Sequence, residues 1–468
     1  MPGTTGKRGE EVVETDPYAH PLALLLARHG GTNASYLRAV ADTYRALGFG
    51  TLACRKEKVS RWLAGTIPAY ETQVAMAALE GITSHDVVRH GWPGWLLLAQ
   101  PEDRPVLHAP WTPESALTAL NSGGPMDRRT FLITTPATIG DVLAHAAHAA
   151  PATSPPTGRH IGSEVPQRFE RRLADLRLMD DQMGSAEVYT AAVAELGLIT
   201  RTLAHSSYSE ATARHLFSSA AEAARVAGWT AYDSGHHAAA ERHYAAALRA
   251  ATSAQDQAAT ANICAFWAIQ HYSTGDPRGA VQLLEDALAH APAIGSPRMT
   301  AMLHARLSRA HARAGDARAS DRAAGAALDS YAHAGPLNDD IPAVYWFNLG
   351  EAHQLLGSSA LNLGRARQAL AHFQHATVAT SPTGKSPTAE RYDGEAFPRG
   401  NAIYLARHAE AHLALDDVDA ALEAAHAAVT CMGGVTSARG SAGLTDLRAQ
   451  LARRKNAAGV RDFLELTT

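Results

Sequence analysis

One pattern recurs five times between about residue 215 and residue 430, and each recurrence joins two helical stretches through a polar turn. Gly235, Gly275, Gly315, Gly364 and Asp416 mark the turns. Seven residues before them stand Gly228, Ala268, Ser308, Gly357 and Ala409. Five residues after them stand Ala240, Ala280, Ser320, Ala369 and Ala421, and twelve residues after them Ala247, Ala287, Ala327, Ala376 and Ala428. The ninth position supplies the bulk, with Tyr244, Leu284, Ala324, Phe373 and Ala425. Small residues at these offsets let two antiparallel helices, and then the next pair, approach closely. A helix pair of this kind cannot bury its apolar face alone and must stack on its neighbours.

This spacing of small residues resembles the tetratricopeptide repeat (TPR). The turns lie 40, 40, 49 and 52 residues apart, against 34 in the standard repeat, which predicts longer helices or inserted loops. The resemblance implies an α-solenoid whose concave face, lined by the first helix of each pair, holds a partner.

A chain of 468 residues has room for two or three domains. Its net charge of −4 excludes a general polycation, so any nucleic-acid surface has to be local. Cys54, Cys264 and Cys431 are too scattered for a disulfide framework or a CxxC metal site and are expected as buried or half-buried thiols. No apolar run approaches the roughly 20 residues that cross a bilayer, and the polar start MPGTTGKRGEEVVETD is unlike a signal peptide. A cytoplasmic protein is the expectation. Asp127–Leu132, reading DRRTFL, resembles a twin-arginine export core, but it follows 126 residues and reads better as part of a helix joining two domains.

Along the chain, residues 1–17 read as a disordered tail and 18–100 as a small helical domain. Residues 101–166 read as a Pro-rich linker with one helix over 126–150, and 167–468 as the repeat domain with a helical lead-in and a last capping helix. No stretch alternates as a strand does. The predicted fold is all-α, a small helix-turn-helix-like domain followed by a TPR-like α-solenoid.

The small domain carries Lys58-Val59-Ser60-Arg61-Trp62-Leu63-Ala64-Gly65. Val59, Trp62 and Leu63 share one side of a helix and anchor it, which leaves Arg55, Lys56, Lys58, Ser60 and Arg61 for phosphates and base edges. Residues 18–100 hold eight Lys/Arg against five Asp/Glu, a local net of +3. The string resembles the end of the recognition helix in Cro/repressor-type helix-turn-helix proteins. It departs from them between Gly48 and Arg55, where the usual turn has 3–4 residues. A divergent helix-turn-helix ahead of a TPR array resembles a family of actinomycete regulators, some of which restrain sporulation and antibiotic production. WPGWLLLA, DRRTFL, LRLMDD (176–181) and especially residues 207–251 carry that resemblance.

No phosphate loop, nucleophile elbow or HExxH motif is present. His408/His412 and His372/His375 pair at helical spacing without a third ligand, so no metal or other cofactor and no enzymatic activity are expected. The adjacent pairs Asp180-Asp181 and Asp339-Asp340 read as solvated caps or turns. For the groove, the first helices of the pairs offer Trp229, Trp267, His271, His304, His311, Tyr345, Trp346, Asn348, Gln354 and Tyr404. The resulting expectation is a cytoplasmic, homodimeric regulator that binds double-stranded DNA through residues 55–61. Its array would sense a peptide, small molecule or partner protein. The alternative is a TPR scaffold without DNA affinity.

Overall fold

The computed structural model of the protein describes residues 33–55, 57–64, 66–99, 111–121, 136–152, 158–378, 391–433 and 437–466, with Leu22, Leu25, Leu26 and Val435. The tail 1–17, the DRRTFL segment, Lys56 and Gly65 lie outside the described residues. The chain divides into two compact units, Met1–Arg104 and Pro105–Thr468.

The first unit holds α1 (Asn33–Ala46), α2 (Glu57–Leu63), α3 (Tyr70–Leu79), α4 (Ser84–His90) and a 3-10 turn, Gly94–Ala99. Tyr36, Leu37, Val40, Val59, Trp62, Met76 and Trp95 build its core with Leu22 and Leu25. Trp95 Nε1 donates to Gln73 Oε1 at 3.1 Å, and Gln73 Nε2 donates to the Pro68 carbonyl at 2.8 Å, so this buried polar pair is satisfied inside the core. The α4 helix was not expected. A capping box between Thr83 and Asp86 starts it, and that signal is present in the sequence.

The second unit opens with α5 (Pro113–Asn121), α6 (Pro136–Ala146), α7 (Glu164–Met183) and α8 (Ser185–His205). The stretch read as a linker with one helix therefore contains a second, α5. Trp111, just before α5, lies under the Arg249 guanidinium at 4.7 Å, and Ala152 N bonds to the Ser253 carbonyl at 2.8 Å. Five helix pairs follow: α9 (Glu210–Asp233) with α10 (His237–Ala254), and α11 (Gln257–Thr274) with α12 (Pro277–Ile294). Next come α13 (Pro297–Arg313) with α14 (Ala317–Tyr331), α15 (Leu349–Asn362) with α16 (Ala366–Val378), and α17 (Pro398–Ala414) with α18 (Val418–Met432). The helices α19 (Ala438–Ala452) and α20 (Val460–Leu466) close the end. Apart from two residue pairs bridging Arg159–His160 to Ser206–Ser207, the described residues are helical or irregular. The chain is all-α, and its second unit is a TPR-like α-solenoid.

The turns explain the pairs. Gly235, Gly275, Gly315, Gly364 and Asp416 all have positive φ, between 62° and 102°, where a helix stops cheaply at glycine. After three of them an aspartate caps the next helix: Asp276, Asp316 and Asp417 accept from the backbone of Gly279, Ala319 and Ala420. The offsets before and after each turn are coupled by size. A Cβ on Gly228 would stand 3.1 Å from the Tyr244 ring, and one on Gly357 would stand 2.6 Å from Phe373. Where the ninth position is only Ala324, the facing residue is Ser308, bonded through Ser320. The spacings beyond 40 come from insertions between pairs, residues 332–348 and 379–397.

Candidate functional site

The first helices of the pairs face a common hollow in the second unit. From α7 come Arg177, Asp180 and Asp181, from α9 Glu222, Arg225 and Trp229, and from α11 Asn262, Phe266 and Ile269. Each set falls at three- and four-residue steps, which places it on one helix face. The hollow also receives Arg306 of α13, Glu351 and Leu355 of α15, Arg399 and Tyr404 of α17, and Arg439 of α19. The inserted loops add Tyr345, Trp346, Tyr392 and Phe397. Its cavity volume is about 140 Å³, room for one compact apolar group of a small ligand.

The charges lining it are mostly committed to each other. Arg399 Nη2 donates to Asp180 Oδ2 at 2.8 Å, and its Nη1 reaches Asp180 Oδ1 at 3.1 Å, Ser185 Oγ at 2.9 Å and Asp233 Oδ2 at 3.4 Å. Trp229 Nε1 donates to Asp180 Oδ2 at 2.9 Å. Burial opposes ionisation of Asp180, but Arg399 and these hydrogen bonds outweigh it and hold its pKa below the usual carboxylate range. Asp233 Oδ1 also accepts from Ser437 Oγ at 3.0 Å and Arg439 Nε at 3.1 Å. These bonds join α7 and α9 at one end of the array to α17 and α19 at the other, and close the hollow. The expectation of a solvated Asp180-Asp181 pair is therefore corrected: Asp180 is 3% exposed. Asp181 takes a hydrogen bond from the Tyr345 hydroxyl, and burial pushes its pKa up to about 6. Asp339-Asp340 does lie in a turn, with Asp340 bonded by Ser296 Oγ at 2.6 Å.

Glu222 accepts both Arg225, at 2.8 Å through Nε and through Nη2, and Arg177, at 2.7 Å. Despite burial, these two cations bring its pKa down to about 2. Arg225 and Arg306 cover the Phe266 ring at 4.4 and 4.6 Å, and Arg306 also lies 4.9 Å from the Trp346 ring.

Of the ten groove candidates, Trp229, Tyr345, Trp346 and Tyr404 line the hollow and six are placed elsewhere. Trp267 neighbours Phe266 on α11 but points about 100° away, into the core, stacked on Tyr244 with Nε1 donating to Glu241 at 2.8 Å. His271 is buried between Asp276 and Glu241, whose charges outweigh burial and raise its pKa. Asn348 caps α15, its Oδ1 accepting from Glu351 N at 2.8 Å, and its Nδ2 donates to the Arg391 carbonyl at 2.9 Å. Gln354 is buried behind the lining, and His304 and His311 are half-buried and outside it. The arginines and acids that do line the hollow were missed, since surface helices carry the same residues. The four-step spacing of Asn262–Phe266 on α11, and of Glu351–Leu355 on α15, was the available signal.

His353 Nδ1 lies 3.1 Å from His372 Nδ1, with His375 stacked nearby, and the His408 and His412 rings are 4.9 Å apart. Among the described residues no group of three or more His, Cys, Asp or Glu is arranged to hold a metal. Cys264 is buried and Cys431 half-buried as expected, whereas Cys54 is exposed.

In the first unit, Ser60 and Arg61 are exposed on α2, Lys58 is half-buried on it, and Arg55 is exposed on the connection before it. Val59 and Trp62 anchor the helix in the core. Lys58 and Arg61, three residues apart on α2, share one border of that helix with Arg55 just ahead of it in sequence, and residues 47–56 separate α1 from α2.

No protein-family model matches the chain, and no curated protein does. Among solved structures it is similar to the "Crystal structure of APC/C hetero-tetramer Cut9-Hcn1", at 13% identity and a TM-score of 0.32. That match covers 80% of this chain and 59% of the other, so the chain spans less than two thirds of that structure's chain. A TPR-like α-solenoid is an architecture for holding partners along a concave surface. Among the described residues no helix is long and apolar enough to cross a membrane.

Proposed function

We propose that the protein is a ligand-responsive, DNA-binding regulator: the first unit meets duplex DNA along α2, and the repeat array holds an effector. The observation that carries the reading is the hollow itself, walled by aromatic rings and by five arginines from both ends of the array. An effector there touches α7, α9, α11, α15 and α17 together, so it binds one curvature of the array better than others and shifts the population toward it. Arg55, Lys58, Ser60 and Arg61 are the DNA contacts, with Lys56 beside them in sequence, and a homodimer would present two such borders to paired half-sites. The compartment is cytoplasmic, where such a regulator meets DNA.

The test is a salt titration of binding to random duplex DNA, with wild type and Lys58→Glu/Arg61→Glu. Wild-type affinity that falls steeply with salt, and is lost in the double variant, supports the regulator. Equal, salt-insensitive behaviour of both proteins moves the function to the second reading, an interaction scaffold. The ten-residue connection between α1 and α2, longer than a helix-turn-helix turn, favours that reading.

A further inference from the structure

Three polar groups in the hollow stand apart from its satisfied network. Arg306 is 4% exposed, and among the described residues no carboxylate lies within 4.0 Å of it. Its Nη1 donates to the Ala265 carbonyl at 2.7 Å, and no other hydrogen bond to the described residues is made by the guanidinium. Glu351 is 8% exposed, and no arginine or lysine nitrogen of the described residues lies within 4.0 Å of it. Its Oε1 accepts from the Tyr404 hydroxyl at 2.5 Å, while Oε2 receives nothing from the described residues. Asn262 is 3% exposed, and its Oδ1 has no hydrogen-bond partner among the described residues. All three line the same space.

Arg306 and Glu351 feel each other's charge, but neither has an ion partner within 4.0 Å among the described residues, which is costly for buried groups, and so is an unspent amide oxygen. Their placement is local. Ala265 follows Asn262 by three residues on α11 and Phe266 follows it by four, so the Arg306 head lies within one helical turn of the Asn262 amide. Arg306 asks for an anion, and Glu351 asks for a cation. Asn262 Oδ1 asks for an N–H. Phe266, Trp346 and Leu355 line the same space, the first two under the Arg306 guanidinium, and ask for an apolar body.

We propose that the hollow binds a small zwitterion with an apolar body, of the amino-acid or short free-ended peptide kind. Its carboxylate lies on Arg306, its ammonium on Glu351 with an N–H to Asn262, and its side chains against Phe266, Trp346 and Leu355. The assignment rests on the reading that the hollow holds the effector, and it is independent of whether the first unit meets DNA.

The test uses the full chain and follows binding by calorimetry and by the fluorescence of Trp229 and Trp346, which line the space. The probes are free phenylalanine and leucine, and a pool of dipeptides and tripeptides of leucine, isoleucine, valine, phenylalanine, tyrosine and tryptophan. The peptide pool is used with free ends, N-acetylated, and C-amidated. Free-ended probes are expected to bind about tenfold or more tightly than either capped form, because each cap leaves one buried charge unpaired. Single amino acids and peptides are compared directly to identify the source. Arg306→Gln is expected to erase the preference for a free carboxylate and keep that for a free amine, and Glu351→Gln the reverse. Arg306→Lys should retain the carboxylate preference. These are ratios within one protein, so a general loss of stability does not produce them.

Capped probes that bind as well as free ones overturn the assignment while leaving a ligand-holding array. Absence of binding by every zwitterionic probe at about 1 mM overturns it as well. DNA binding without zwitterion binding removes this proposal alone, and zwitterion binding without DNA affinity removes only the regulator.

Discussion

Burial raises the pKa of Glu351 to about 7, aided by Asp181 and opposed by the Tyr404 hydrogen bond and by Arg306 and Arg439 at longer range. The folded chain then holds a proton on Glu351 more tightly than the unfolded chain, where the carboxyl titrates near its ordinary value. The stability this gives is present in full below about pH 4.5 and is lost as pH rises through about 7. The difference is on the order of 3 kcal/mol. Asp181, pushed up to about 6, acts in the same direction, and Glu222, held near 2, acts in the opposite one and loses its contribution only in strong acid. Glu351→Gln is therefore expected to fall less in melting temperature than wild type between pH 5 and pH 8. Parallel pH profiles in differential scanning calorimetry would show that the carboxyl is solvated and already ionised.

At the scale of the helix pair, size matching across each turn holds the array together. Gly357 of α15 faces Phe373 of α16, and an added Cβ would stand 2.6 Å from the ring. Alanine gains about 1 kcal/mol in helix propensity over glycine, but overpacking a closed core costs typically 1–3 kcal/mol. The Phe373 ring is buried, so the clash wins, and Gly357→Ala is expected to lose about 1 kcal/mol in urea unfolding. Phe373→Leu added to it should restore part of that. Gly325 on α14 is the internal control: its Cβ would meet nothing within 4 Å, so Gly325→Ala should stabilise by about 0.5–1 kcal/mol. Equal effects at the two glycines would refute the size-matching account. A scan of propensity alone predicts a gain at both.

For the whole second unit, Arg399 is the residue that turns a row of pairs into a closed hollow. It joins α17 to Asp180 on α7, 219 residues away, and to Asp233 on α9. Arg399→Met leaves Asp180 buried with only Ser185 and Trp229, and removal of one partner from a buried pair costs roughly 3–5 kcal/mol. The freed carboxyl should take up a proton more readily, so the variant should regain stability as pH falls toward 5. Asp180→Asn/Arg399→Met should lose less than Arg399→Met alone. Small-angle scattering is expected to show a larger radius for the single variant at pH 8. An unchanged radius together with a loss below about 1 kcal/mol would mean that the ends of the array are held elsewhere.

Local rules decide the helices and turns, which is why the sequence alone carried the pairs, their glycine and aspartate stops and the all-α class. A positive φ, a capping aspartate and a small residue opposite a ring depend on neighbours at most about twenty residues apart. The same locality led the reading astray at Trp267 and Asn348, where one residue of helical rotation or one cap separates a core group from a lining one. It also led it astray at Asp180, whose partner Arg399 lies on the last pair and is invisible to any window along the chain. The hollow, its closed charge network and the three unspent groups at Arg306, Glu351 and Asn262 arise only when superhelical curvature brings α7 back to α17. That curvature is a sum of small rotations over five pairs and two insertions, so tertiary packing, not local pattern, determined it.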